Sequence, residues 1–524
     1  MPERFPRSRS GRATRMIDEF FHECGREGIP VLRSDFEDFL RDESRFRGHA
    51  SGVARPRSES QLIALVSLAN RFRMPLTTVG GKTSVTGSSV PVEGIAVDVR
   101  GLDHFDPNNP GFVGPGVILD RYKELVDQRG FFFPPDPTSS ASCTLGGIVA
   151  CNASGALSYA YGPTRDHVRG LRMLLPMGSV LELQRGDITS RDGYFTIPRK
   201  RLSPPPDADL VISVPKLRSP AWKICKNAAG LFSADPMDLV DLFIGSEGLL
   251  GIILEIRTVL RPRRSPFFAL MLYTPSLEAT PELVRTLAGL PRGDGAPAGV
   301  GALAPSCMEW IGATCGEFVS KEFSENMRGS YGCLYVEQDY SQGEDPFEKA
   351  GRWGESLERL VGLGGIRIEG AFDTAQIRRM RLERQAIPEK LNDSIAPGMV
   401  KIATDFAVPL ERLPWLMRLY DDRLRGLRHY AFGHIGNAHL HVNILPGDAE
   451  EADLARSLCE SLARQICEVG GTVSAEHGIG KLKHRYLEIM LGREGLEEIR
   501  KVKQALDPHG ILNRGNMVPW EQAS

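Results

Sequence analysis

F-G-H-I-G-N-A-H-L-H-V-N-I, Phe432 to Ile444, reads as a glycine-marked turn feeding a strand. From His439 the residues alternate strictly. His439, His441 and Asn443 fall on one side, and Leu440, Val442 and Ile444 on the other. The apolar side packs on a core, which leaves two imidazoles and an amide on the polar side. His434 precedes them between Gly433 and Gly436, where the backbone can bend back toward the same place. Further on, S-A-E-H-G-I-G sets Glu476 and His477 between small residues. Imidazoles and a carboxylate are the donor set of a catalytic divalent metal site. The plain alternative is surface or satisfied core histidines. Against it, four of the eleven histidines gather on two glycine-flanked segments.

The remaining bounds are broad. A chain of 524 residues holds two to four domains. At 41% hydrophobic and 25% charged it has the composition of a globular protein. A net charge of -2 gives no electrostatic reason to expect nucleic acid. Nine cysteines without C-x-x-C argue against an iron–sulfur cluster or a disulfide framework and fit a reducing compartment. The longest apolar run, Leu242 to Ile256, is interrupted by Glu247 and glycines. Arg4, Arg7, Arg9, Arg12 and Arg15 make a basic start without an apolar segment, so it is not a secretory signal. It reads as a disordered tail or, alternatively, a short transit peptide. The expected location is cytoplasmic, with peripheral membrane association open, or mitochondrial if the start is a transit peptide.

A helix is expected over Ser60–Phe72 and a strand over Pro75–Val79. That strand empties into V-G-G-K-T-S-V-T-G-S-S, Val79 to Ser89, a loop that offers backbone N–H groups and hydroxyls to an anion such as a pyrophosphate. It is neither a Walker A loop nor a G-x-G-x-x-G turn. F-F-F-P-P-D-P-T-S-S and C-T-L-G-G-I-V-A-C-N-A-S-G follow, from Phe131 and Cys143. The prolines stiffen the approach, and Gly146, Gly147 and Gly155 permit close contact with a flat ligand. Residues 185–220 look like a surface excursion, and Asp241–Ile253 like strand, glycine turn, strand. Beyond Arg264, alternating strands and helices suggest an α+β domain. On the helix Thr374–Leu391, Arg384 stands out as a candidate clamp for an acidic substrate.

The order of these motifs resembles the FAD-linked oxidases of the vanillyl-alcohol-oxidase superfamily, in the branch of D-lactate dehydrogenase, the glycolate oxidase flavin subunit and D-2-hydroxyglutarate dehydrogenase. The resemblance spans 50–518 and includes Y-G-P-T-R-D-H-V from Tyr161, G-S-E-G-L-L-G-I from Gly245 and L-D-P-H-G-I-L-N-R-G from Leu506. It implies an α+β fold with a two-part FAD-binding domain, a ferredoxin-like antiparallel substrate cap and a C-terminal helical segment. The boundaries expected are 1–40 for an extension, 41–263 for the FAD domain, 264–470 for the cap and 471–524 for a segment returning to the flavin. By the same resemblance Gly80, Gly81, Lys82, Thr83 and Ser84, with Gly87, hold the pyrophosphate. Pro135, Asp136, Thr138, Gly146 and Gly147 line the flavin, as do Asn152, Ser154, Gly155 and Gly162. Glu247, Gly251, Ile252 and Asn513 lie nearby. His434, His441 and Glu476 are the implied ligands of zinc or manganese. Asn443, His439 and Arg384 would touch substrate, and His477 would be the base.

Two departures qualify this. The family loop reads R-G-G-G-T-S, whereas Val79 and Lys82 replace its arginine and third glycine. The metal strand carries G-D-G-N before its second ligand, whereas here it is Gly436-Asn437-Ala438-His439. With no histidine in the pyrophosphate loop, FAD is expected to be non-covalent. The implied reaction is oxidation of a D-2-hydroxy acid (D-lactate, glycolate or D-2-hydroxyglutarate type) to the 2-oxo acid, with hydride passing to flavin N5 and His477, poised near neutral pH, taking the hydroxyl proton. Electrons would leave to a separate acceptor, a quinone, electron-transfer flavoprotein or iron–sulfur protein, and a homodimer is one assembly open to the chain. The rival readings are a flavin subunit that needs its partner for activity and an alkyl-glycerone-phosphate-synthase-like flavoenzyme.

Overall fold

The computed structural model describes residues 11–217, 219–290, 303–341, 343–361, 365–395 and 398–520. Its first sheet is mostly parallel. Gly52–Ala54, Ile95–Asp98 and Leu76–Val79 pair in that order, with Val31–Leu32 antiparallel at the edge. The helix Glu59–Phe72 crosses between two of these strands. Ser58 starts it by accepting a hydrogen bond from the Gln61 N–H, and Leu62, Leu65, Leu68 and Ala69 form its buried face.

The N-terminal stretch corrects an expectation. Gly11–Arg26 is a helix that carries Arg15, and its Phe20, Phe21 and Cys24 pack in the same core as Leu62 and Leu65. Residues 11–26 thus form a packed helix rather than a disordered tail. Arg4, Arg7 and Arg9 fall outside the described residues.

The second sheet is antiparallel, in the order Leu202–Ser203, Val180–Gln184, Val168–Leu174, Ile252–Thr258, Phe112–Val113. Residues 185–220 are not a bare excursion. Tyr194–Ile197 and Leu210–Ser213 pair there and bury Phe195, Ile197 and Ile212. Asp241–Phe243, expected as strand, belongs to the helix Leu239–Phe243. The Asp238 side chain accepts from the Val240 N–H and starts the turn.

The third sheet is wholly antiparallel. Its order is Arg367–Ala371, Phe267–Thr274, Gly332–Asp339, Pro305–Gly312, His429–His434, His439–Ile444, and Ile402–Ala403 and Phe406–Ala407 both pair with the last strand. Thr374–Asp393 packs on this sheet, and Ala449–Glu468 and His484–Leu506 complete the C-terminal part. The chain then returns to its start. Leu512 bridges Leu76, and Asn513 Oδ1 accepts from the Thr78 N–H at 3.0 Å and from Thr78 Oγ1 at 3.1 Å. This is the mixed α+β architecture, with an antiparallel cap, that the resemblance implies.

Candidate active site

A cavity of about 860 Å³ runs between the first two sheets and the third. One wall is made of loops with little side chain. Strand Leu76–Val79 delivers Gly80 to Ser84 to the cavity. A Cβ on Gly81 would overlap the Ser142 carbonyl, and one on Gly155 the Asp136 carbonyl, so both glycines permit a close approach of backbone to backbone. Lys82 adopts φ 60° and ion-pairs with Asp38. Thr144 starts the helix Leu145–Cys151 by accepting from the Gly147 N–H at 3.2 Å. Thr138, Gly146, Gly147, Ser154, Gly155, Glu247, Gly251 and Ile252 also face the cavity.

Six residues expected at the cofactor stand one layer back, and most support the lining. Asn152 Oδ1 accepts from the Arg165 N–H, Asn513 holds Thr78, and Asp136 pairs with Lys123 at 2.5 Å. The Gly87 carbonyl accepts from Lys481, Gly162 (φ 81°) turns the chain before Pro163, and Pro135 is buried beside the Asp136 turn.

Another part of the lining is built from ionisable side chains. In the hairpin His429–His434/His439–Ile444, His434 lies opposite His439 and Phe432 opposite His441. This register puts His434, His439, His441 and Asn443 on one face. All six residues of His439–Ile444 are buried, because this polar face is covered by Asp405 and the Glu476 segment rather than left open. Glu476 Oε1 lies 3.1 Å from both His434 Nε2 and His441 Nε2. Donors bonded to one tetrahedral cation at the usual lengths stand about 3.3 Å apart, so the spacing fits a shared ion. Ser154 Oγ and Lys226 Nζ donate to the other Glu476 oxygen at 3.1 and 2.6 Å. Burial pushes the Glu476 carboxyl up, but His434 and Lys226 outweigh it and hold it well below the usual range.

His477 is partly exposed, stacks on His441 with centroids 5.1 Å apart, and points Nδ1 at Asp405 Oδ1, 3.3 Å away. The near-neutral titration expected of it is not found. Burial lowers its pKa to about 4, against the opposing pull of Asp405. Arg384 lines the cavity, with Nε 3.1 Å from Glu309 Oε2 and its guanidinium over the Phe432 ring. His439 does not reach the cavity. It is fully buried, with Nε2 2.9 Å from Asp405 Oδ1.

Four residues of this region went unrecognised in the sequence. Asp405 is the organising one: it also accepts from Ser474 Oγ at 2.6 Å and the His477 N–H at 3.0 Å. Glu309 holds His434 Nδ1 at 2.6 Å. Lys226 faces Glu476. Lys401 lines the cavity beside Asn392, and burial lowers its pKa to about 8. For the two carboxylates the available signal was a lone acidic residue beside apolar ones: Glu309 between Met308 and Trp310 inside a strand, and Asp405 just before the strand Phe406–Ala407.

Comparison with known proteins agrees with this division. Residues 50–184 match the model of an FAD binding domain, and residues 321–517 that of the C-terminal domain of FAD linked oxidases. The glycolate oxidase subunit GlcD of Bacillus subtilis is 26% identical over 90% of both chains. A D-2-hydroxyglutarate dehydrogenase of Stutzerimonas stutzeri is 24% identical over 89% of this chain and 90% of its own. A D-lactate dehydrogenase of Anaerostipes hadrus is 25% identical over 97% of this chain and 98% of its own. Among solved structures, a 4-ethylphenol oxidase from Gulosibacter chungangensis superposes with a TM-score of 0.66 at 16% identity, covering 99% of each chain. An alkyldihydroxyacetonephosphate synthase gives 0.62 at 16% identity, covering 95% of this chain and 84% of its own. At that identity the two structures speak to the fold alone.

Proposed function

The chain belongs to the FAD-linked oxidases of the vanillyl-alcohol-oxidase superfamily, and from that premise we propose that it oxidises a D-2-hydroxy acid to the 2-oxo acid with the help of a divalent cation. One arrangement supports the reading. His434, His441, Glu476 and His477 line the same cavity as the Gly80–Ser84 loop. A dinucleotide lying along the glycine-rich wall would bring its ring to the imidazoles.

Bound FAD supplies a two-electron sink, and a cation on His434, His441 and Glu476 supplies Lewis acidity toward a chelating hydroxyl and carboxylate. The chain's own groups do the rest. His477 is neutral at pH 7 and its Nδ1 is held by Asp405, so Nε2 can accept the substrate's hydroxyl proton. Asn443 is buried with its Nδ2 unpaired and lines the cavity, so it offers a donor to substrate oxygen. Lys401 and Arg384 supply positive charge for the carboxylate. The fixed geometry of these groups orients the α-carbon. Electrons then pass to a separate acceptor molecule.

The test is anaerobic bleaching of the bound flavin by a panel of D- and L-2-hydroxy acids, before and after chelation. Rapid bleaching by a D-acid, lost with chelator and restored by metal, is expected. Bleaching that survives complete metal removal would sink the cation's role. Preference for L-acids would overturn the stereochemistry.

A further inference from the structure

We propose that His439 is a third imidazole ligand of the cation held by His434, His441 and Glu476. The chain would then offer three imidazoles and one carboxylate instead of two and one. This rests on the metal reading above and extends it.

The strand register is the first support. His434 and His439 are direct partners across the hairpin, and His439 and His441 are two apart on one strand, so the three share a face. The ring of His439 lies 4.4 Å from that of His441 and 5.3 Å from that of His434, centroid to centroid. His434, His439, His441 and Glu476 each offer a donor atom, and these atoms all lie within 4.8 Å of one another.

The second support is the far nitrogen. A metal-binding histidine commonly gives its other N–H to a carboxylate, which fixes the ring and the tautomer. His434 does this through Nδ1 to Glu309, at 2.6 Å. His439 repeats the pattern through Nε2 to Asp405, at 2.9 Å. With that N–H on Asp405, Nδ1 keeps its lone pair. It is buried and has no hydrogen-bond partner, an arrangement that is costly unless something occupies it.

The resemblance gives this position an asparagine, where this chain carries an imidazole. A nitrogen-rich donor set favours zinc, cobalt or nickel over manganese or magnesium. It leaves fewer open positions, enough for a hydroxyl and a carboxylate together only in six-fold coordination.

The test uses the flavoprotein stripped of metal and reloaded with Zn²⁺. X-ray absorption at the zinc edge of the unaltered protein is expected to report three imidazoles; two would overturn the inference. Competition with a chromophoric chelator then compares the protein with His439→Asn. The variant is expected to lose more than roughly 100-fold in Zn²⁺ affinity, above the range for loss of an outer partner. A loss of roughly 100-fold or less, within the range for an outer partner, would overturn ligation by His439 and leave it only a positioning role. If the variant does not fold, as judged by its flavin absorbance, the absorption measurement on the unaltered protein decides alone. Unaltered protein that binds no cation overturns the metal reading and the inference together, whereas a two-imidazole site overturns the inference only.

Discussion

Two parts of the cleft lining differ in kind. Along Gly80–Ser84 and Gly146–Gly155 the wall is largely backbone, small hydroxyls and apolar side chains, and at Gly81 and Gly155 its shape depends on a side chain being absent. Around His434, His441 and Glu476 the wall is imidazole and carboxylate, each held by a buried partner: Glu309 for His434, Lys226 for Glu476, Asp405 for His439 and His477. Substitutions on the glycine wall should therefore act by bulk and weaken cofactor binding. Those on the ionisable wall should act by chemistry and leave the cofactor in place.

The sharpest contrast is expected from Glu476→Gln. If Glu476 holds the proposed cation, its loss forfeits several kcal/mol of charge stabilisation, so substrate should reduce the flavin roughly 10³–10⁵-fold more slowly, with flavin content unchanged. Stopped-flow absorbance under argon measures both. Loss of flavin in this variant would break the division between the walls. His477→Ala comes next, with reduction slowed by roughly 10²–10⁴-fold and flavin retained. A native rate would remove His477 from the chemistry. On the other wall, Gly81→Val forces a side chain against the Ser142 carbonyl, and overpacking of this kind costs 1–3 kcal/mol. FAD affinity, followed by flavin fluorescence, should fall roughly 10–100-fold, while the rate per bound flavin stays near native.

The smallest effect concerns stability. His167 is buried, its Nε2 lies 2.8 Å from the Tyr161 carbonyl, and burial lowers its pKa to about 4. The unfolded chain titrates near 6.5, so it takes up a proton here before the folded chain does. The contribution is complete above 6.5 and lost as pH falls toward 4. His167→Gln should flatten the decline of the melting temperature over that interval, and an unaltered slope would assign the decline to other groups.

How much of this could be read in advance follows the same division. The glycine wall announced itself, because turns and close approaches demand glycine, and Gly80, Gly81, Gly147 and Gly155 line the cavity. The ligand strand was legible because period-two alternation survives folding. Asp405 and Glu309 were not, since one carboxylate beside apolar residues is a weak signal that names no partner. Their meaning comes from strands brought together across the third sheet and from the Glu476 turn laid against it. The same holds for Leu239–Phe243. A short apolar run suits helix or strand equally, and the Asp238 cap settles it. The N-terminal helix was obscured by its arginines, although Phe20 and Cys24 already had helical spacing.

The contact between Thr78 and Asn513 joins residues 435 positions apart. On a ribosome adding 5–20 residues per second, roughly 20 to 90 s pass between the emergence of the two. Throughout that interval the strand leading into Gly80–Ser84 lacks its partner at Leu512. The loop on which the dinucleotide would rest is therefore finished among the last parts of the molecule, although it is encoded among the first.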